Sequence, residues 1–489
     1  KGDLTTFRFP QGTLRNWPNL DDVELVVRPL HPWVMNILPL ESVDEASRTA
    51  TTSIPATYPI RPVSKWGVPP EDRGKSIRVE NVPEALDTPG EWMLNSRERK
   101  LYLWPKSGEP GDDIRAPATR EIIRVEGDME QGRTVRNLTF RGLTFTQGER
   151  DTWTSEDAGL QHDWEMYDKD NALLRLRGAE DCVVEDCRFV NSAGTGVRLD
   201  LHCQGNRVVG CEFAHLGGTG VVLCGYGPGT KDVNHHNAIL DNDIHHCGEV
   251  YWHCGGIFVW QSGHNRIAHN AVHDMPYSGV VVSGVRPHFF KVEDRRECSR
   301  TIRWDEVGGV GQKPYSEIMT YLHSRHNVLE YNEVYHTMQR LGDGNGIYVS
   351  GTGPGNVLRR NYLHDVLGYA SRGAIRLDNA QNQTLVTENV IRHCVYAGIL
   401  LKGVNRLEGN VIVDMASRSQ PGGHEVETCG HIVLRRDSLS PRCEGSRIER
   451  NLFYHTGGPE RFYGLRRGGP LTGLVVDHNL YYSTAGLEW

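Results

Sequence analysis

"HNRIAHNAVHDMPYSGVVVS", residues 264–283, sets two short apolar runs either side of an asparagine, then a bend and a glycine that opens a third run. The cadence returns in "GNRVVGCEFAH" (205–215), "HNAILDNDIHH" (236–246), "HNVLEYNEVYH" (326–336), "GNVLRRNYLHD" (355–365) and "VNRLEGNVIVD" (404–414). One fixed slot carries Cys187, Cys211, Asn242, Asn270, Asn332, Asn361, Asn389, Asn410, Asn451 and Asn479. Spacings of 24, 28, 28, 28 and 29 residues recur between neighbouring slots. Self-similarity at such a period marks a repeat architecture. One coil of a right-handed parallel β-helix has this length, stacking about 4.8 Å from the next. Inward asparagines satisfy buried turn amides by stacking as a ladder. Cys187 and Cys211 share that slot, so they read as small buried hydrophobes.

The strand after each bend opens with glycine or alanine: "GVRLD", "GVVLC", "GIFVW", "GVVVS", "GIYVS", "AIRLD", "GILLK". Its second and fourth positions should point inward, its third and fifth outward. Helical patterns are nearly absent. The expected fold is all-β: a right-handed parallel β-helix over residues 131–489. Residues 1–130 lack the repeat, and "NVPEALDTPGEWMLNSRERKLYLWPKSGEP" (81–110) reads as hairpins broken by Pro and Gly. They are expected to form a small β-rich accessory domain. The chain closes on "GLEW" directly after a ladder strand with no capping segment, which predicts a piece of a longer protein.

Composition narrows the partners. In 489 residues, 62 acidic groups outnumber 54 basic ones, for a net charge of −8. That argues against nucleic acid, which requires a basic face. No apolar run reaches membrane-spanning length, and no signal peptide precedes Lys1. A trimmed secreted or periplasmic product is the expected location, with a cytosolic one open. Eleven cysteines cannot all pair within one chain. Trp and Tyr, 11 and 18 in number, suit a surface that stacks on something flat.

The coils are not uniform. From ladder residue to glycine the gap is 9 in the plainest coils, but 14 from 242 to 256, 14 from 332 to 346, 12 from 361 to 373 and 20 from 410 to 430. These loops leave at one corner and should wall one side of the stacked strands. A larger insertion, about 284–326, adds a flap. Insertions on one face usually mark a repeat protein's binding face. The outward positions then form a groove floor: Phe258, Trp260 and Tyr348 for sugar faces, Arg376 and Asp378 for hydroxyls. A polysaccharide or oligosaccharide is the expected partner.

Histidine or aspartate also recurs four residues after the ladder, as at His215, His246, Asp274, His336, Asp365 and His393. That regularity predicts turn hydrogen bonds. His245, His246, Cys247, His253 and Cys254 match no familiar zinc spacing, so no metal or cofactor is expected; a Cys247–Cys254 disulfide is an alternative. Asp343 differs. It lies off the repeat, inside a long loop, between Gly342 and Gly344. With Asp378 it makes the carboxylate pair that glycoside hydrolysis requires. Along an ideal strand the two stand roughly 23 Å apart in register, so the Asp343 loop must fold back. Glu249 and Asp200 are reserve carboxylates, and His253 joins the expected binding set. An Asx-turn at Asp343, or a salt bridge from Asp378 to Arg376 or Arg372, is the structural alternative.

The succession of "NVPEALDTPGEWMLNSRERKLYLWP", "VRNLTFRGLTF", "HNRIAHNAVHDMPYSGVVV" and "GDGNGIYVSG" resembles the pectate-lyase-like parallel β-helix glycoside hydrolases. It looks closest to glycoside hydrolase family 141, which includes α-L-fucosidases and a xylanase, with the family 120 β-xylosidases more distant. The likeness runs from about residue 80 onward. It implies a catalytic carboxylate pair in the groove, matched here by Asp343 and Asp378. Those enzymes often show an Asp-Glu pair where this chain has Asp378-Asn379. Two other readings stand beside it: a polysaccharide lyase using Arg376, Lys402 and Arg435, and a non-catalytic carbohydrate-binding solenoid.

Overall fold

In the computed structural model, residues 3–29, 31–61, 77–111, 114–151, 165–166, 168–291, 297–368, 373–415, 429–435, 443–456, 461–466, 473–484 and 486 are described. The chain divides into two compact units, one over Lys1–Pro117 and one over Ala118–Asp151 and Glu165–Trp489. The boundary falls before residue 130 because strand Ile123–Glu126 pairs in parallel with strand Ala172–Glu180, which makes it part of the solenoid.

The first unit holds a five-stranded antiparallel sheet and a separate hairpin, Trp92–Asn95 with Lys100–Leu103. Its sheet packs Leu25, Val27, Leu38, Leu40 and Ala50 against Trp17, Leu14 and Phe9.

The second unit is the right-handed parallel β-helix. Two sheets of 11 strands and one of 13 run its length among the described residues, each strand pairing in parallel with its counterpart one coil on. Register places like on like. Val184, Val208, Ile239, Ile267, Leu329 and Leu358 form one interior column, all nearly or fully buried. In the second sheet Phe145, Phe189 and Phe213 stack with ring centroids 4.7 and 4.9 Å apart.

The bend between these two sheets explains the ladder. The residue before each slot has positive φ in all ten coils: Asp186, Gly210, Asp241, His269, Tyr331, Arg360, Glu388, Gly409, Arg450 and His478, between 51° and 65°. A left-handed non-glycine residue costs roughly 1–2 kcal/mol. The ladder offsets that cost by tying each turn to the next. The Asn270 amide donates to the Asn332 side-chain oxygen at 3.1 Å, and its Nδ2 donates to that oxygen at 2.9 Å and to the Ile239 carbonyl, one coil back, at 3.0 Å. The pattern repeats through Asn361, Asn389, Asn410, Asn451 and Asn479. A second ladder runs through Asn206, Asn237, Asn265, Asn327 and Asn356. Its residues sit in the quoted repeats, yet the reading from sequence assigned only one.

The recurrent His and Asp residues are also turn residues. His215, His246, Asp274, His336, Asp365, His393 and Asp414 all have positive φ, and Asp274 and Asp365 bridge histidines of adjoining coils. All eleven cysteines are free thiols, so Cys247 and Cys254 form no bridge. No group of His, Cys, Asp and Glu among the described residues is arranged to hold a metal ion. No helix among them is long and apolar enough to cross a membrane.

Candidate active site

The third sheet's outward positions form two columns, and their chemistry changes along the axis. Arg175 and Arg198 come first, paired in register, with Asp200 beside them. Val222, Phe258, Val281 and Tyr348 follow in one column, Cys224, Trp260, Ser283 and Ser350 in the other. Arg376 and Asp378 come next.

The alternation is as the sequence predicts, but the aromatic floor is not open. The described parts of the 284–326 insertion lie over it. Phe289, Phe290, Ile302, Val307, Ile318, Met319 and Leu322 pack on Val222, Cys224, Phe258, Trp260, Val281 and Tyr348 as a second hydrophobic core. Trp260 is 0% exposed, and Phe258 and Tyr348 are nearly so. Phe258 and Trp260 therefore act as flap-binding residues in this conformation, because apolar side chains so crowded gain more from one another than from water. Arg303 donates to the Tyr226 carbonyl at 3.0 Å, fastening one end of the flap. At the other, Tyr315 donates from its hydroxyl to the Ala380 carbonyl at 2.6 Å.

Where the flap ends, four charged groups meet. Asp343 reaches them because its loop folds back across the coil. Asp343 has φ +58°, and a Cβ on Gly344 would stand 2.7 Å from Tyr277 and Ser278 side-chain atoms and 2.8 Å from the Met338 sulfur. Any larger residue there would force one of these side chains to shift. The Tyr277 hydroxyl donates to the Asp343 carbonyl at 3.1 Å, and Asn345 Nδ2 donates to the Gly373 carbonyl at 3.0 Å. The distance expected along an ideal strand thus disappears: Arg376 Nη1 lies 2.5 Å from Asp343 Oδ1, while its Nη2 contacts Asp378 Oδ2. Two carboxylates from successive coils thus share one planar guanidinium.

The two acids are unlike. Asp378 accepts from Lys402 and from the Asn379 amide (2.7 Å) on Oδ1, and from Arg376 and the Tyr348 hydroxyl (3.1 Å) on Oδ2. A carboxylate has about four acceptor sites, so these are filled. Burial works to raise its pKa, but Arg376 and Lys402 outweigh burial and hold the carboxyl well below the usual range. Asn379 and Ala380, both with positive φ, curl the chain so that the Asn379 amide meets the carboxylate. The Asp343 side chain is 21% exposed, against 3% for those of Asp378, Arg376 and Lys402. Burial pushes the Lys402 ammonium down, against the pull of Asp378. Burial, and then the Asp378 charge, push the Tyr348 phenol well up.

The reserve residues lie apart from this cluster. Asp200 is fully buried between Arg198 (3.0 Å) and Arg175 (2.7 Å). Glu249 is exposed and engages His215 at 3.0 Å, at a turn of the second sheet. His253 is buried beside Tyr251. Arg372 lies outside the described residues. Strand alternation places Tyr348 and Lys402 on the outward face with Asp378; that both bond directly to its carboxylate emerges only from the structure.

A family model described as a right-handed β-helix region matches residues 226–412. No curated protein matches the sequence. Among solved structures, one titled "Glycoside hydrolase" superposes with a TM-score of 0.54 at 18% identity, covering 94% of this chain and 68% of its own. The A-module of an Azotobacter vinelandii mannuronan C-5 epimerase gives 0.39 at 11% identity, covering 64% of this chain and 73% of its own. An alginate lyase from Paenibacillus gives 0.33 at 11%, covering 62% and 92%. At such identities the likeness speaks to the fold.

Proposed function

We propose that the chain is a polysaccharide-active enzyme, a glycoside hydrolase whose reacting carboxylate is Asp343. One observation carries this reading: carboxylates from two successive coils converge on the guanidinium of Arg376 at the margin of the flap. Asp343 is the more exposed of the pair and takes the part of base or nucleophile toward a sugar at that margin. Asp378, saturated with donors and held ionised, orients Arg376 and Lys402. Its environment opposes the proton-donor role, which requires a raised pKa. Asp378 is thus a positioning residue in this reading, a change from an equal division of labour between the pair. The substrate is a plant or algal polysaccharide or its oligosaccharides, of fucoside or xylan type, met outside the cell or in the periplasm.

Aryl α-L-fucoside, xyloside, arabinoside and galactoside substrates, with soluble xylan, test the proposal. Turnover that Asp343→Asn lowers by about 100-fold or more supports it, in line with the usual contribution of one acid or base. Turnover unchanged in that variant refutes the assignment. A second reading is β-elimination on a uronate. It is favoured by Lys402, whose ammonium is shifted toward deprotonation. In that reaction a base removes the C5 proton and the 4-linked oxygen departs, leaving a C4–C5 double bond. Ultraviolet absorbance of the product separates elimination from hydrolysis.

A further inference from the structure

The outward face of the third sheet is covered along most of its length. One register column runs through seven successive coils from Arg198 to Leu400, and the column beside it runs from Asp200 to Asp378. No residue of either column is more than 3% exposed. The flap closes the middle. On the carboxy-terminal side Leu400 and Val433 are fully buried, packed with Ala397 against Tyr396. Solvent reaches the charged cluster between them chiefly at Asp343, whose side chain is 21% exposed while those of Arg376, Asp378 and Lys402 are enclosed. The frame of that window is tight. The Tyr277 hydroxyl donates to the Asp343 carbonyl at 3.1 Å, and Gly344 lies hard against Tyr277 and Met338.

Cleavage inside a polymer requires the chain to continue on both sides of the bond that breaks, and so a floor open in both directions. Here one direction meets the flap, sealed where Tyr315 donates to the carbonyl of Ala380, two residues beyond Asp378. The other meets the buried Leu400. Uncovering the floor instead would put Phe258, Trp260 and Tyr348 in water, at about 150–250 Å² of surface each. A chain end needs only the window. The sugar seated there reacts at its anomeric carbon: its glycosidic C–O bond breaks, water supplies the hydroxyl that replaces the departing oxygen, and that oxygen takes water's other proton. The unit held is therefore a non-reducing terminus, and the rest of the glycan leaves toward solvent.

We infer that the enzyme acts at chain ends: the Asp343 window admits one non-reducing terminal sugar, and interior linkages are not cut. This rests on the reading of the Asp343 cluster as the reaction site. Xylohexaose and a fucosylated oligosaccharide, each labelled at the reducing end with 2-aminobenzamide, test it through the order of their products. The expected result is shortening by one unit at a time, with free monosaccharide as the first unlabelled product. Soluble xylan should keep its viscosity while monosaccharide accumulates. Hydroxyl-radical footprinting of the intact chain, read by mass spectrometry, tests the cover without any substrate. Trp260 should oxidise about tenfold or more slowly than Trp92, which is 62% exposed. Internal fragments among the first products, a fall in xylan viscosity, or Trp260 oxidised as fast as Trp92 would overturn the inference. Loss of the hydrolase assignment reads out separately, as turnover that survives Asp343→Asn.

Discussion

Asp378 sits among four donors with its carboxylate enclosed, and its removal leaves Arg376 and Lys402 buried side by side. Asp378→Asn should destabilise the protein by about 3–5 kcal/mol, the usual consequence of breaking a buried ion pair from one side. Denaturant unfolding measures this. Because its folded pKa is depressed, the stability it supplies is present above the unfolded value of about 3.9 and fades as pH falls through the folded value. The variant's stability should accordingly lose pH dependence below about pH 4. His431 works in a different window. Burial pulls its imidazole down to about 4. A histidine kept neutral in the fold is destabilising to it wherever the unfolded chain is protonated, so stability should decline from about pH 6.5 toward 4, by of order 3 kcal/mol. His431→Phe should flatten that slope in thermal melts between those pH values. At this scale the sequence was informative about Asp343 and Asp378 because they broke or closed a repeat. It was silent on which would be exposed, since that depends on side chains contributed by neighbouring coils.

Elements impose their own constraints. In the ladder, Asn332 serves two neighbours, receiving from Asn270 and donating to Ile267 O and Asn361. Asn332→Ala strands several buried amides, at about 1–3 kcal/mol for each group left unsatisfied. Asn479, in the last described ladder coil and only partly buried, should cost less when changed in the same way; chemical denaturation compares the two. The Asp343 loop is held by a close approach. Gly344→Ala forces a shift against Tyr277 and Met338, so turnover should fall about tenfold or more with a melting temperature within a few degrees of the parent. The ladder was legible because its asparagines recur in register. The fold-back of the loop was not, because it depends on a glycine meeting residues 66 positions earlier, as the Tyr277–Asp343 bond illustrates. Long loops at one corner suggested walls around a groove. Over the middle of the face, the larger insertion supplies a roof instead, and its apolar residues carried the signal: Phe289, Phe290, Ile318, Met319 and Leu322 face a column of Phe, Trp and Tyr.

The solenoid and the roof together give the second unit two hydrophobic interiors with a common wall, the third sheet. The inner one is threaded by ladders in every coil. The outer one depends on a single inserted segment fastened at Tyr226 and Ala380. Their stabilities need not coincide, and Trp260 and Trp304 report on the outer one alone. During gradual denaturation, red-shifted tryptophan emission should precede loss of the far-ultraviolet β signal, most clearly when the other tryptophans are replaced by phenylalanine. Such a roof is better compared to a keel than to a door. Detaching it exposes three rings and a sheet of valines to water, so a carbohydrate would be met at its edge, and changes in specificity would come most readily from the residues bordering it.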